Sequence, residues 1–370
     1  MTGTSARRTP AAFFTPFPTT VAVAIAMNAV LLVPGVPAQV HDTVWRAAMV
    51  LAAILGALFA HDLAHLAAAR MLGLRTVVAT LGLFVIAPTR RGLRMRAVRT
   101  WGEIAAGLIV EPRADRRMNG RLALVALAGP AASLALGVVA LDGYPALAVA
   151  CLVRFLLAAL PIGAQCIPTD GARSLLLLAG GAPADRFFAM QRITAAQYDG
   201  VRPRAWPERW ITDATTLRDG SAAEAMACAA AFRRALDGCA HDRASAFLDR
   251  ALALRATLPR AAACILLADA AYFEARIHDD ATRARAWLDE AARRRPACPV
   301  AERRASAAVS IASGNFAAGA EMAREALAQL ERIEREEQRV MPMEGDWLRE
   351  MLERAECAIV LPDELLALAG

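Results

Sequence analysis

Phe59-Ala60-His61-Asp62-Leu63-Ala64-His65 places two of the chain's five histidines four residues apart, inside a long apolar run. On an α-helix this spacing puts both imidazoles on one face, one turn apart. Two neutral imidazoles in that arrangement can bind one zinc ion, and a carboxylate directly after the first histidine can act as a general base. The usual motif has Glu at that position, whereas this chain has the shorter Asp62. The stretch therefore predicts a helical metal site with His61 and His65 as ligands.

The composition indicates a membrane domain followed by a soluble one. Of the 370 residues, 57% are hydrophobic, a fraction too high for an ordinary soluble protein of this length. Charged residues are scarce in 19–69 and 121–169 and dense from about Arg192 onward. The net charge of +6 is what arginine-rich cytoplasmic loops of a membrane protein would give. We therefore expect no nucleic-acid partner.

Four apolar runs approach or exceed the length needed to cross a membrane: 19–37, 45–72, 121–141 and 144–162. A basic segment precedes the first run, so a signal peptide is the rival interpretation of that run. We favour a retained span, because the next part of the chain is itself apolar. Arginines between the second and third spans mark a cytoplasmic loop. We expect an integral protein of a bacterial cytoplasmic membrane with both termini in the cytoplasm.

The segment between the second and third runs has strand character. Residues 76–80 and 83–86 are rich in β-branched side chains, and 90–96 combine a turn with alternating arginines. Residues 102–110 are apolar but too short to span. This pattern predicts a small sheet or re-entrant element at the membrane surface.

The C-terminal half repeats a helical pattern. Residues 246–252 are echoed by 286–292 and again by 318–327, with Ser313-Gly314-Asn315-Phe316 resembling the turn between two helices of a tetratricopeptide repeat. Such stacks commonly bind a partner protein, and a plain α-helical bundle is the alternative. The predicted fold is mainly α. Its parts are a cytoplasmic tail (1–18), a membrane-embedded domain (19–180), a linker (181–212) and a cytoplasmic repeat-like domain (213–370).

A catalytic zinc site usually has three protein ligands and one water, so the two histidines leave one protein ligand to identify. Asp170 is the best-placed candidate, because it follows the last apolar run on the cytoplasmic side, where the histidine-bearing end of the second run also lies. Gly171 beside it permits a tight turn. Glu103 and Glu111 are alternatives in the loop after the second run.

Three stretches on successive apolar runs resemble motifs of the site-2 protease family of intramembrane zinc metalloproteases. Residues 61–73 are similar to that family's His-Glu-x-x-His helix and its continuation to a glycine. Residues 126–133, Ala-Leu-Ala-Gly-Pro-Ala-Ala-Ser, resemble its Ala-Gly-Pro segment. Residues 160–173 resemble its Asn-x-x-Pro and Leu-Asp-Gly stretch. The resemblance covers about residues 45–180 and leaves the helical tail outside.

The resemblance implies cleavage of membrane-embedded or membrane-adjacent peptide bonds in a membrane protein or peptide substrate. A zinc-activated water is the attacking group, and a carboxylate takes its proton and passes it to the leaving amine. By this resemblance the zinc ligands are His61, His65 and Asp170, the general base is Asp62, and the substrate-positioning residues are Gly129, Pro130 and Ser133.

Departures from the family pattern motivate a second hypothesis. Asp62 retracts the carboxylate by about 1.5 Å relative to Glu, and a misplacement of about 1 Å can cost about 100-fold in rate. Ser133 replaces the Asn usual after Gly-Pro, and Ala158 or Ala159 stands where the family has Asn before Leu-Pro. The second hypothesis is a weak or inactive relative that acts as a membrane scaffold through its helical repeats. A solute transporter is a third, supported only by the spans and their buried charges.

Overall fold

The computed structural model describes residues 38–89, 92–98, 107–112, 118–161, 163–164, 167–294, 299–337 and 341–360. The chain forms two compact units, which divide between Gly180 and Gly181. Each unit is treated by itself. The predicted tail at 1–18 and the predicted first span at 19–37 lie outside the described residues.

The first unit contains four described helices. They are α1 (Ala38–Met71), α2 (Met118–Val139), α3 (Pro145–Ala159) and α4 (Asp170–Ala179). By length and composition α1 and α2 could each cross a membrane, and α3 is an apolar helix of 15 residues. The described residues thus hold two candidate spans, and the four-span arrangement stays a prediction.

Helix α3 has clear boundary signals in the sequence. It begins at Pro145, whose fixed φ suits the first helical turn and whose missing N–H is not needed there. It ends before Leu160-Pro161, and Leu160 is extended with φ −62° and ψ 132°. A residue that precedes proline is pushed out of the helical region, so the chain leaves the helix at this point.

A four-stranded antiparallel sheet follows α1. Its strands are β1 (Arg75–Leu81), β2 (Phe84–Thr89), β3 (Gly92–Ala97) and β4 (Leu108–Glu111), in the order β3-β2-β1-β4. The strands predicted at 76–80 and 83–86 are therefore present. Gly82 makes the β1–β2 turn at φ +59°, a conformation that favours glycine. A further short pair joins Gly163–Ala164 to Ile167–Pro168.

Helix α1 packs against α2, α3 and β1, and α2 also packs against α3 and α4. The buried face of α1 carries small residues and the two histidines, at Ala53, Ala57, His61, His65 and Ala69. Large apolar side chains, including Ile54, Phe59 and Leu63, lie on its exposed face. A helix that is apolar on its exposed side as well is typical of one that faces lipid.

The second unit contains nine described α-helices. They are α5 (Gly181–Tyr198), α6 (Glu208–Thr215), α7 (Ala222–Asp237), α8 (His241–Ala253), α9 (Arg260–Ile277), α10 (Ala281–Arg293), α11 (Pro299–Ala312), α12 (Phe316–Glu337) and α13 (Pro342–Val360). The prediction of a linker at 181–212 is wrong. These residues form α5 and most of α6, and they bury Ile193, Trp206 and Ile211 against Ala231 of α7. Prolines at 183, 203 and 207 suggested a linker, but they lie near helix starts, where proline is tolerated.

Three helical hairpins in this unit share one turn geometry. The pairs α7–α8, α9–α10 and α11–α12 are each joined by three residues, and the partners of each pair pack together. The middle residue of each turn has positive φ: Cys239 at 56°, Asp279 at 54° and Gly314 at 75°. The repeated stretches 246–252, 286–292 and 318–327 lie in the second helix of each hairpin. The sequence echo therefore corresponds to a structural repeat, and its assignment as tetratricopeptide-like stays a prediction.

A buried cluster of charges lies inside this unit. The fully buried Arg304 of α11 donates to Asp269 of α9 and to Glu344 of α13. Its guanidinium carbon lies 4.8 Å from the ring centroid of Tyr272 and 5.1 Å from that of Trp347. Each buried charge here has an opposite partner, which offsets the cost of removing it from water.

Candidate metal centre

The two histidines predicted as ligands meet on the buried face of α1. His61 is 0% exposed and His65 is 9% exposed. Their Nε2 atoms lie 3.1 Å apart, and the rings stand edge to face with centroids 4.8 Å apart. The four-residue spacing therefore directs both Nε2 atoms to the same point, as the sequence predicts.

Asp170 joins them from the first residue of α4. Its Oδ2 lies 3.1 Å from His61 Nε2 and 3.3 Å from His65 Nε2. Thr169 caps the helix by accepting a hydrogen bond from the Ala172 N–H at 3.3 Å, so the carboxylate sits at the positive end of the helix dipole. The structure thus brings the predicted third ligand to the two histidines.

Gly171 explains why α4 can start so close to α3. A Cβ at this position would lie 2.0 Å from the carbonyl oxygen of Ala159, the last residue of α3. Thr169 Oγ1 also donates to the Leu160 carbonyl at 2.5 Å. The Asp-Gly pair therefore combines a ligand with the only residue small enough for this approach.

Three donor atoms form a nearly equilateral triangle with edges of 3.1, 3.1 and 3.3 Å. Atoms bound to one zinc ion at about 2.0–2.1 Å, at tetrahedral angles, lie about 3.3 Å apart. The spacing thus matches three corners of a tetrahedron around one ion. Among the described residues, His61, His65 and Asp170 form a group that could hold a metal ion.

The other ring nitrogens are held by α2. His65 Nδ1 lies 2.7 Å from the Val125 carbonyl oxygen, which can only accept, so Nδ1 carries the proton and Nε2 carries the lone pair. His61 Nδ1 lies 2.9 Å from Ser133 Oγ, which can accept in the same way. Contacts of this kind fix the tautomer and orientation of metal-binding histidines.

Gly129 provides the space for the two imidazoles. A Cβ there would lie 2.3 Å from His65 Nε2 and 2.7 Å from His61 Nε2. Pro130, the next residue, lacks the N–H that would bond the Ala126 carbonyl, which loosens α2 at this level. The Gly-Pro pair therefore shapes the wall of the site, and its predicted role in positioning substrate stays a prediction.

Asp62 does not join the ligand triangle. It is 7% exposed, and its Oδ2 accepts a hydrogen bond from the Gly82 N–H at 2.8 Å, in the β1–β2 turn. The sheet therefore holds one oxygen of the predicted base. The sequence motif gave no sign of this contact, because Gly82 lies twenty residues farther along the chain.

The alternative third ligand Glu111 does not reach the site. Glu111 is half-exposed on β4 and pairs with Arg75 of β1 across the sheet, at 2.9 Å. The proposal of Glu111 as a ligand is therefore wrong. Glu103 lies outside the described residues.

Sequence reasoning missed part of the surroundings of this site. Ser133 is predicted to position substrate, and the structure places its Oγ 2.9 Å from Nδ1 of His61, a contact that the sequence did not predict. Arg154, the single charged residue of α3, is half-buried within the same unit. A single arginine inside an apolar helix is the sequence signal that could have pointed to it.

Comparison of the chain with protein-family models, curated proteins and solved structures finds no match. What the site does is therefore inferred from its own geometry and chemistry.

Proposed function

We propose that this chain is an intramembrane zinc metallopeptidase of the site-2 protease type. The observation that carries the proposal is the triangle of His61 Nε2, His65 Nε2 and Asp170 Oδ2, with edges of 3.1–3.3 Å. Two imidazoles and one carboxylate are a donor set that zinc accepts in catalytic sites, where a fourth position is left for water or substrate.

The surroundings of the triangle support a membrane-embedded reaction. The histidines lie in α1, one of the two described helices that are long and apolar enough to cross a membrane. The nearby helix α3 is apolar as well. A peptide bond that reaches this site would do so within or beside the hydrocarbon layer.

Asp62 is the residue proposed to move the proton. Bound zinc supplies a Lewis acid that polarises a carbonyl and makes a water more acidic. Asp62 Oδ2 is occupied by the Gly82 N–H, which leaves Oδ1 to take the proton of the attacking water and deliver it to the leaving amine. The Gly82 contact also restricts the rotation of a carboxylate that is shorter than the usual Glu.

The second unit is proposed to recruit a substrate or a regulator. Its three hairpins share turn geometry and stack on one another, and stacked helical hairpins commonly bind protein partners. In this proposal the unit lies in the cytoplasm and resembles a tetratricopeptide array.

One observation favours a second candidate function, a metal-binding membrane scaffold without catalysis. Asp62 Oδ2 accepts a hydrogen bond from the Gly82 N–H in the β1–β2 turn at 2.8 Å, so one oxygen of the proposed base already has a structural partner. A carboxylate used only to join α1 to the β1–β2 turn would leave the site without a base.

The test measures zinc content and cleavage together. Full-length protein is purified in detergent and its zinc content per chain is measured. It is then reconstituted with single-span reporter peptides. The peptidase proposal expects about one zinc per chain and cleavage in the wild type. It expects neither in His65→Ala, and zinc without cleavage in Asp62→Asn. Zinc retained in a wild type that cleaves no reporter, with no gain in Asp62→Glu, would favour the scaffold.

A further inference from the structure

Arg154 is a charged residue of the first unit that has no role in the reaction proposed above. It is the single charged residue of α3, a helix whose other residues are all apolar. The residue is half-buried, and its Nε atom is buried without a hydrogen-bond partner in the described part of the chain. A guanidinium at membrane depth is costly and usually marks a functional site.

Helices α1 and α3 run side by side in the same direction. Near the middle of α1 and the start of α3, a Cβ on Gly56 would lie 3.9 Å from the Leu147 side chain. Near their C-terminal ends they are joined through α4: Asp170 contacts the histidines of α1, and Gly171 lies against Ala159 of α3. The first contact precedes the second along both helices, so α1 and α3 are parallel.

Arg154 therefore lies at the depth of the metal centre. It comes seven residues after Leu147 on α3, and Asp62 comes six residues after Gly56 on α1. At about 1.5 Å per residue these separations are about 10 Å and about 9 Å along the two axes.

The charges around this point favour an anionic ligand. Two neutral imidazoles and one carboxylate would leave a divalent metal with a net charge of about +1. Arg154 adds one positive charge and the carboxylate of Asp62 one negative charge, so the net charge stays about +1. In surroundings of low dielectric constant the attraction of Arg154 for an anion is stronger than in water. Its planar fork of donors suits an oxygen anion in particular.

We infer that Arg154 binds the carbonyl oxygen of the scissile peptide bond and stabilises the negative charge that develops there. The inference rests on the proposed peptidase function. As the water oxygen bonds to the carbonyl carbon, the carbonyl electrons move to the oxygen held by Arg154. They return when the C–N bond breaks, and Asp62 passes the water's proton to the leaving amine. Removing one such donor costs about 10²–10³ in rate in other enzymes.

The experiment separates this role from a merely structural one by reading anion binding as well as cleavage. Full-length protein is loaded with cobalt in place of zinc, and methylphosphonate, a small tetrahedral anion, is titrated against the visible absorption of the cobalt. Arg154→Gln should weaken phosphonate binding by about tenfold or more. It should also lower the kcat for a reporter peptide by about 10²–10³, with metal content unchanged. Arg154→Lys, which keeps the charge, should recover part of both.

The matched control is Arg46→Gln, which removes the same charge from an exposed position near the start of α1. It should leave phosphonate affinity, metal content and kcat at wild-type values. Wild-type phosphonate affinity in Arg154→Gln would overturn the inference, as would loss of metal in both Arg154 variants. If the wild type cleaves no reporter but Arg154→Gln alone loses phosphonate affinity, the peptidase function fails and Arg154 remains the anion-binding group of the metal site.

Discussion

A methyl group on Gly129 would lie 2.3 Å from Nε2 of His65, closer than any real carbon–nitrogen contact between unbonded groups. The imidazole of His65 on α1 can therefore occupy its position only because residue 129 on α2 has no side chain. Gly129→Ala should displace the imidazole and abolish stoichiometric metal binding, as measured by metal analysis of the purified protein. Gly120→Ala on the same helix has nothing within 4 Å of its Cβ and should bind metal normally. Equal metal content in both variants would contradict the close packing described above.

Ser133 should control how tightly the metal is held. Its Oγ lies 2.9 Å from His61 Nδ1, and it is 1% exposed, so the contact is shielded from water. Loss of such an outer partner typically costs about 10–100-fold in metal affinity. Competition with a chelator should show this loss in Ser133→Ala. Ser310→Ala, which removes a hydroxyl in the second unit, serves as the control, and an unchanged affinity in Ser133→Ala would remove Ser133 from the site.

Asp269 should be important for the stability of the second unit. It accepts hydrogen bonds from Arg233 at 2.9 and 3.0 Å and also bonds Arg304, whose side chain is fully buried. Asp269→Ala removes a carboxylate partner from the buried guanidinium of Arg304. It should lower the free energy of unfolding by about 3–5 kcal/mol. Urea denaturation of the full chain in detergent, followed by circular dichroism, measures the change.

An exposed ion pair supplies the comparison for Asp269. Arg324 and Glu356 lie 2.7 Å apart, with side chains 54% and 47% exposed. Such pairs contribute about 0–1 kcal/mol. Arg324→Ala should therefore change the unfolding free energy by less than about 1 kcal/mol. A loss as large as that of Asp269→Ala would mean that burial does not set the difference between the two pairs.

Cys239 should be stabilised by replacement with glycine. It lies in the α7–α8 turn at φ 56°, where a side chain costs about 1–2 kcal/mol relative to glycine. Gly314 has the equivalent place in the α11–α12 turn. Cys239→Gly should therefore raise the denaturation midpoint. Cys357→Gly, at an exposed position within α13, should lower the denaturation midpoint slightly, because glycine is a weaker helix former than cysteine. The same direction of change in both variants would argue against strain at Cys239.

Much of the local structure could be predicted because it depends on near neighbours in the chain. The β-branched runs at 76–80 and 83–86 form strands, and the apolar run at 45–72 lies within α1 and its turn. The segment 181–212 could not be predicted in the same way. Its prolines suggest a linker, but Trp206, 1% exposed, is buried against α7, and burial of an aromatic side chain outweighs a local preference for turns.

The candidate site likewise has one part that local sequence determines and another that only the tertiary structure decides. The spacing of His61 and His65 alone determines that both imidazoles share a face, since helical periodicity is a local property. The convergence of Asp170, 109 residues beyond His61, is decided by how α4 packs against α2 and the end of α3, where Gly171 permits the contact. The contact between Asp62 and the sheet, and the depth of Arg154 beside it, are likewise tertiary results. Both depend on which helices approach one another and on how closely they pack. Small residues permit the close approaches, but their effect can be recognised only when the neighbouring helices are known.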